Sequence, residues 1–125
     1  MAAQILVADD EACITTIVSK KLRNAGFDVL VAMDGQEAFD RAMAERPDLL
    51  VTDLQMPLMS GLELCARLTA ELPETIPTIL LTAKGFELEP EQLSRLPICR
   101  VMTKPFSLRE LLDNIREALA AAVAP

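Results

Sequence analysis

Ile5-Leu6-Val7-Ala8-Asp9-Asp10-Glu11 places four apolar residues directly ahead of three acids. An apolar run with no polar alternation marks a strand covered on both faces, as in a parallel sheet. The acids then stand where that strand ends. The same kind of run returns along the chain as Val29-Leu30-Val31-Ala32, Leu49-Leu50-Val51 and Ile79-Leu80-Leu81. A fifth, Ile98 to Met102, is weaker because Arg100 interrupts it.

Helical patterns fill the intervals. Ile14, Val18, Leu22 and Ala25 recur at helical spacing. Ala38, Phe39, Ala42 and Met43 form a second stripe, opened by the capping box Asp34-Gly35-Gln36-Glu37 and stopped before Pro47. Leu64, Cys65, Leu68 and Leu72 form a third, closed by Pro73. A fourth, around Leu88 to Leu96, is less regular, and Pro90 fits only its first turn. The fifth is the clearest: Leu108, Leu111, Leu112, Ile115, Leu119 and Ala122, behind a capping box from Ser107 to Glu110. Strand and helix alternate five times, which predicts a doubly wound α/β domain, (βα)5, on a parallel sheet. Residues 1–122 are expected to form this domain, and residues 123–125 a tail or the start of a linker.

A chain of 125 residues fits one domain. Its 12 basic and 19 acidic residues leave a net charge of −7, which argues against nucleic-acid binding, since that needs clustered cations. Histidine is absent, which removes Ser-His-Asp and Cys-His catalysis, imidazole metal ligands and any phosphohistidine on this chain. Cys13, Cys65 and Cys99 form no CxxC and read as small buried hydrophobes in a reducing compartment. The N-terminus lacks the basic start of a signal peptide, and its apolar run is too short to span a membrane. These features predict a cytoplasmic protein without membrane contact.

Ligands of open α/β sheets bind beyond the carboxyl ends of the strands. There the sequence supplies Asp9-Asp10-Glu11 after the first strand, Asp53 after the third, Thr82-Ala83 after the fourth and Lys104-Pro105 after the fifth. Two like charges about 4 Å apart repel by about 4 kcal/mol at an effective dielectric near 20. Asp9, Asp10 and Asp53 therefore need a cation or a proton if they crowd together. A hard, partly hydrated divalent ion, magnesium, suits such oxygen ligands.

Each residue has a plainer explanation when taken alone. A carboxylate at a strand–helix junction is most often a helix cap, and Asp9, Asp10 or Glu11 could cap the first helix. Capping accounts poorly for Asp53, because Met56-Pro57 and Ser60-Gly61 are expected to keep the following residues in a loop. Thr82 alone would be an ordinary strand end and Lys104 a solvated charge. Only a shared site explains all of them together.

Over nearly its whole length the chain resembles the receiver domain of two-component response regulators, of the chemotaxis-regulator type. The matching segments are Val7-Ala8-Asp9-Asp10-Glu11, Asp53-Leu54-Gln55-Met56-Pro57-Leu58-Met59-Ser60-Gly61, Leu81-Thr82-Ala83 and Lys104-Pro105-Phe106. The resemblance implies a flavodoxin-like sheet of strand order 2-1-3-4-5. It implies that Asp53 is the nucleophile that becomes an aspartyl phosphate. Asp10 and Asp53 would ligate Mg2+ directly, Asp9 mainly through water, and Gln55 through its backbone carbonyl. Lys104 would pair with Asp53 and then with the phosphoryl oxygens, and Thr82 would donate a hydrogen bond to them. A cis peptide bond before Pro105 could aim Lys104 into the site. The donor would be a sensor histidine kinase or a histidine phosphotransfer protein. The fourth helix, fifth strand and fifth helix would form the surface for a homodimer or an output domain. The module would be a switch rather than a turnover enzyme, catalysing only its own phosphorylation and dephosphorylation.

Several positions depart from the family pattern. Val101 stands where Tyr or Phe is usual, three residues before the lysine. Val101 cannot repeat the ring rotation that accompanies movement of the switch threonine, here Thr82. The signal is therefore expected to leave through the loops Met56 to Gly61 and Ala83 to Leu88. Leu96-Pro97 replaces the usual Gly-Ala entry to the fifth strand. Gln55 and Lys84 occupy the positions that tune phosphoryl lifetime. Two alternatives stand beside the receiver: a phosphatase of the haloacid dehalogenase type, and a receiver that binds partners without phosphorylation. The first places its nucleophile in a DxD after strand one and leaves Asp53 to Pro57 unexplained. The intact Asp53, Thr82 and Lys104 argue against the second. The four glycines form neither a P-loop nor GxGxxG.

Overall fold

The structure is a computed structural model that describes residues 2–83 and 88–123. Its elements run β1 (Gln4–Ala8), α1 (Ala12–Asn24), β2 (Asp28–Ala32), α2 (Gly35–Glu45), β3 (Leu49–Asp53), α3 (Gly61–Glu71), β4 (Thr78–Thr82), α4 (Pro90–Ser94), β5 (Ile98–Thr103) and α5 (Leu108–Val123). The strands pair in parallel in the order β2-β1-β3-β4-β5, the flavodoxin-like arrangement. Strand order reverses beside β1, so the crevice between the ends of β1 and β3 is the topological switch point where ligands bind in such sheets.

Alternate side chains of each strand face opposite layers. Ile5, Val7, Leu49, Val51, Ile79 and Leu81 pack with Val18 and Leu22 of α1 and with Leu111, Leu112 and Ile115 of α5. Leu6, Ala8 and Leu50 pack instead with Ala38 and Ala42 of α2 and with Leu64 and Leu68 of α3. Two apolar layers around one sheet explain why the inner runs lack alternation. The edge strands are less covered: Val29, Leu30 and Val31 of β2 are half-buried, and on β5 Met102 is buried but Cys99, Arg100 and Val101 are exposed. The β4–β5 register also slips between Thr78 and Ile79, whose partners are Ile98 and Arg100, so Cys99 bulges out of the ladder.

Helix starts follow local chemistry. Asp34 accepts a hydrogen bond from the Glu37 amide at 2.7 Å, and Ser107 accepts one from the Glu110 amide at 3.2 Å. Pro90 opens α4, where its missing N–H costs nothing. Ser60 and Gly61 do not extend the loop as expected: Ser60 and Glu63 cap each other reciprocally, and Gly61 is the first residue of α3. Gly61 is needed there because a Cβ would stand 2.4 Å from the Asp53 carbonyl oxygen. At Gly35 a Cβ would stand 2.2 Å from the Met59 carbonyl oxygen, so the start of α2 lies directly against the loop between β3 and α3. The cysteine expectation holds for Cys65 alone; Cys13 and Cys99 are exposed, on the outer side of α1 and at the β5 bulge. Residues 84–87, which include Lys84 and most of the loop expected to carry the signal, and residues 124–125 of the expected tail lie outside the described residues.

Candidate functional site

The candidate residues meet at the carboxyl edge of the sheet. Asp53 is the last residue of β3 and is 7% exposed. Asp9 follows β1 and is fully buried, whereas Asp10 next to it is exposed. Carboxylate oxygens of Asp9, Asp10 and Asp53 lie within 4.8 Å of one another. Adjacent strands of fixed register set this spacing, since Ala8 pairs with Thr52, one residue before each buried acid.

The other wall comes from β4 and β5. The Lys104 amide donates to the Thr82 carbonyl at 2.8 Å, which extends the ladder past the strand end. Thr82 is 2% exposed, and the Lys104–Pro105 peptide bond is cis. The Lys104 ammonium is 2.8 Å from Asp9, 3.0 Å from Glu11 and 3.4 Å from Asp53. Its nearest partners are thus Asp9 and Glu11, and the sequence-level pairing with Asp53 is the longest of the three. Asp9 also accepts from the Glu11 amide at 3.0 Å, and the Glu11 side chain makes no cap hydrogen bond to α1.

The electrostatics follow from this crowding. Burial and then the neighbouring charge of Asp9 push the Asp53 carboxyl up to about 6, against the pull of Lys104. Burial works to lower Lys104, but hydrogen bonds to Asp9 and Glu11 outweigh it and hold the amine above the usual lysine range. The cluster therefore carries negative charge that its one lysine does not fully offset.

Gln55 and Leu58 are exposed in the loop after β3, and Leu58 reaches 80% exposure with a left-handed backbone, φ 70°. Val101 lies on the edge strand β5, 41% exposed, and pairs with Leu80 of β4. Sequence reasoning missed two features. Glu11 was grouped with the acids as a helix cap, not as a partner of Lys104. Thr52, fully buried, donates from its hydroxyl to the Asp53 carbonyl at 3.0 Å and was not singled out.

A doubly wound sheet with an acidic cluster at its switch point is the arrangement that the receiver resemblance implies. Residues 5–116 match the response regulator receiver domain, and the chain belongs to that family. Its residues are 39% identical over 119 positions to the alkaline phosphatase synthesis transcriptional regulatory protein PhoP of Bacillus subtilis, covering 95% of this chain and 49% of that protein. The chain thus spans about half the length of this relative. Among solved structures, the receiver domain of the Francisella response regulator 1452 is 31% identical, with a TM-score of 0.86 over 95% of this chain and 98% of that one. The chemotaxis response regulator CheY4 of Vibrio cholerae is 28% identical, with a TM-score of 0.85 over 94% and 99%. These matches give no support to the haloacid dehalogenase alternative. Among the described residues no helix is long and apolar enough to cross a membrane.

Proposed function

We propose that this receiver domain takes a phosphoryl group onto Asp53, in a magnesium-dependent reaction, from a phosphohistidine on a sensor kinase or phosphotransfer protein. The observation that carries this reading is the meeting of Asp9, Asp10 and Asp53 within 4.8 Å, with Lys104 beside them, at the switch point. The donor set fits magnesium: all ligands are oxygen, and the exposed Asp10 leaves room for retained waters. Asp10 and Asp53 would hold the ion, with Asp9 through water and the Gln55 carbonyl in support. When bound, it would offset charge on the transferring group.

The chain's own residues do the rest. A carboxylate oxygen of Asp53 attacks phosphorus, the new O–P bond forms as the donor's N–P bond breaks, and the imidazole nitrogen keeps the electron pair. Lys104 donates to a phosphoryl oxygen, and Thr82, next to it through the backbone, donates to another. Asp9 steadies Lys104 throughout. The phosphohistidine lies outside these 125 residues, which contain no histidine. The module acts as a switch: its turnover is limited to gaining and losing its own phosphoryl group. Its partner surface, for a second copy or an output domain, is α4, β5 and α5, where Arg100 and Val101 stand exposed.

Acetyl phosphate with magnesium should add one phosphoryl group, labile to hydroxylamine, and Asp53→Asn should take none. Intact-mass spectrometry checks this. A labelled Asp53→Asn protein would remove Asp53 as the acceptor, and an unlabelled wild type would favour a receiver that acts without phosphorylation.

A further inference from the structure

Glu11 occupies the cap position of α1 but caps nothing, and its carboxylate ends 3.0 Å from the Lys104 ammonium. An ammonium has three protons, and here three carboxylates face it: Asp9 at 2.8 Å, Glu11 at 3.0 Å and Asp53 at 3.4 Å. They differ in their freedom to let go. The Asp9 side chain is 0% exposed, that of Asp53 10% and that of Glu11 55%. Withdrawing a cation from a buried carboxylate strands its charge, whereas a half-exposed carboxylate returns to water at little cost. Glu11 also borders, with Ile14, Ile17 and Phe106, an open pocket of about 560 Å³ beside Lys104, so its side chain has space to turn into.

Building on the function proposed above, we propose that Glu11 is a positioning residue that holds Lys104 back from Asp53 until a phosphoryl group displaces it. A phosphoryl group on Asp53 brings oxygens that need a proton from Lys104. Asp9 keeps its contact because it is buried. Glu11 yields its contact and turns to solvent. The resting ion pair therefore competes with phosphorylation, and its strength sets part of the barrier.

Three forms of the full chain test this: wild type, Glu11→Ala and Glu11→Asp. Aspartate keeps the charge but is one methylene too short to reach the ammonium. Two quantities are read: the rate of phosphorylation by acetyl phosphate at saturating magnesium, and the NMR resonance of the Lys104 ammonium without phosphodonor. Both variants should raise the rate about two- to fivefold, the scale of one partly exposed ion pair, and both should shift the ammonium resonance. If Glu11→Ala is faster while Glu11→Asp matches wild type, Glu11 acts only by repelling the anionic donor and the proposal fails. It fails equally if neither variant is faster. An unshifted ammonium resonance in both variants removes the contact itself. A wild type that takes no label defeats the proposed function, and this inference with it.

Discussion

The inner strand β3 and the edge strand β5 of this sheet are built to different rules. β3 is buried at all five residues and delivers Asp53 at its end, held by partners on both sides. β5 buries Met102 but exposes Cys99, Arg100 and Val101, carries a bulge and has one neighbouring strand. Reactive groups on β1 and β3 inherit the fixed register of the core, so their spacing costs little to maintain. Exposed residues on β5 are spared that constraint, which suits the partner surface proposed above. The clustered carboxylates sit where the fold is least free, and the surface proposed for partners where it is most free.

Stability should separate the two regions most sharply. Leu50→Ala, at a fully buried position of β3, should cost about 3 kcal/mol, and Val101→Ala under about 1 kcal/mol, by denaturant unfolding. Comparable losses would mean that β5 is as tightly packed as the interior.

The next effect is a penalty that the core accepts for its chemistry. The Asp53 carboxyl is raised from 3.8 to about 6, so between these values the folded chain keeps a proton that the unfolded chain releases. Stability therefore falls as pH rises through that window, and the full penalty is present above it. Without metal, Asp53→Asn should be more stable than wild type by about 2 kcal/mol at pH 7.5 and by under about 1 kcal/mol near pH 4. Melts across pH in chelator should show this gap, and magnesium should narrow it. A gap that is constant with pH would point to packing rather than charge.

A smaller difference lies within the acids. Among the described residues Lys104 pairs with Asp9, Glu11 and Asp53 and leaves Asp10 to other ligands. Asp10→Ala should weaken magnesium binding about tenfold, and Asp9→Ala less, by isothermal titration. Equal losses would show that the buried acid ligates directly.

The smallest effect concerns β5. Beryllofluoride, a mimic of the phosphoryl group, should shift amide NMR signals most in the Met56 to Gly61 loop and least along Ile98 to Met102, because Val101 has no ring or hydroxyl to exchange contacts. Equal shifts on both would erase the contrast between the two regions and restore β5 as a signalling strand.

The sequence made much of this visible. Unbroken apolar runs reported burial on both faces, and the acids after Ala8 and Thr52 reported the edge where a site could form. Its limits were equally physical. Glu11 lies 93 residues from Lys104, and nothing local shows that a long side chain at a helix start turns to a distant cation instead of its own backbone. Ser60-Gly61 carries the residue types of a turn, but Ser60 with Glu63 three residues on also forms the capping box that starts α3, a local signal that the turn reading passed over. Cys13 and Cys99 were judged by residue type, but their exposure depends on which side of a helix and of a bulge faces outward.

The close approach at Gly35 also bears on how this protein can change over generations. The start of α2 and the loop after β3 touch with no room for a methyl group, so they cannot drift as separate parts. Novelty near Asp53 is therefore channelled toward side chains such as Leu58, which already point outward, and away from the course of the backbone.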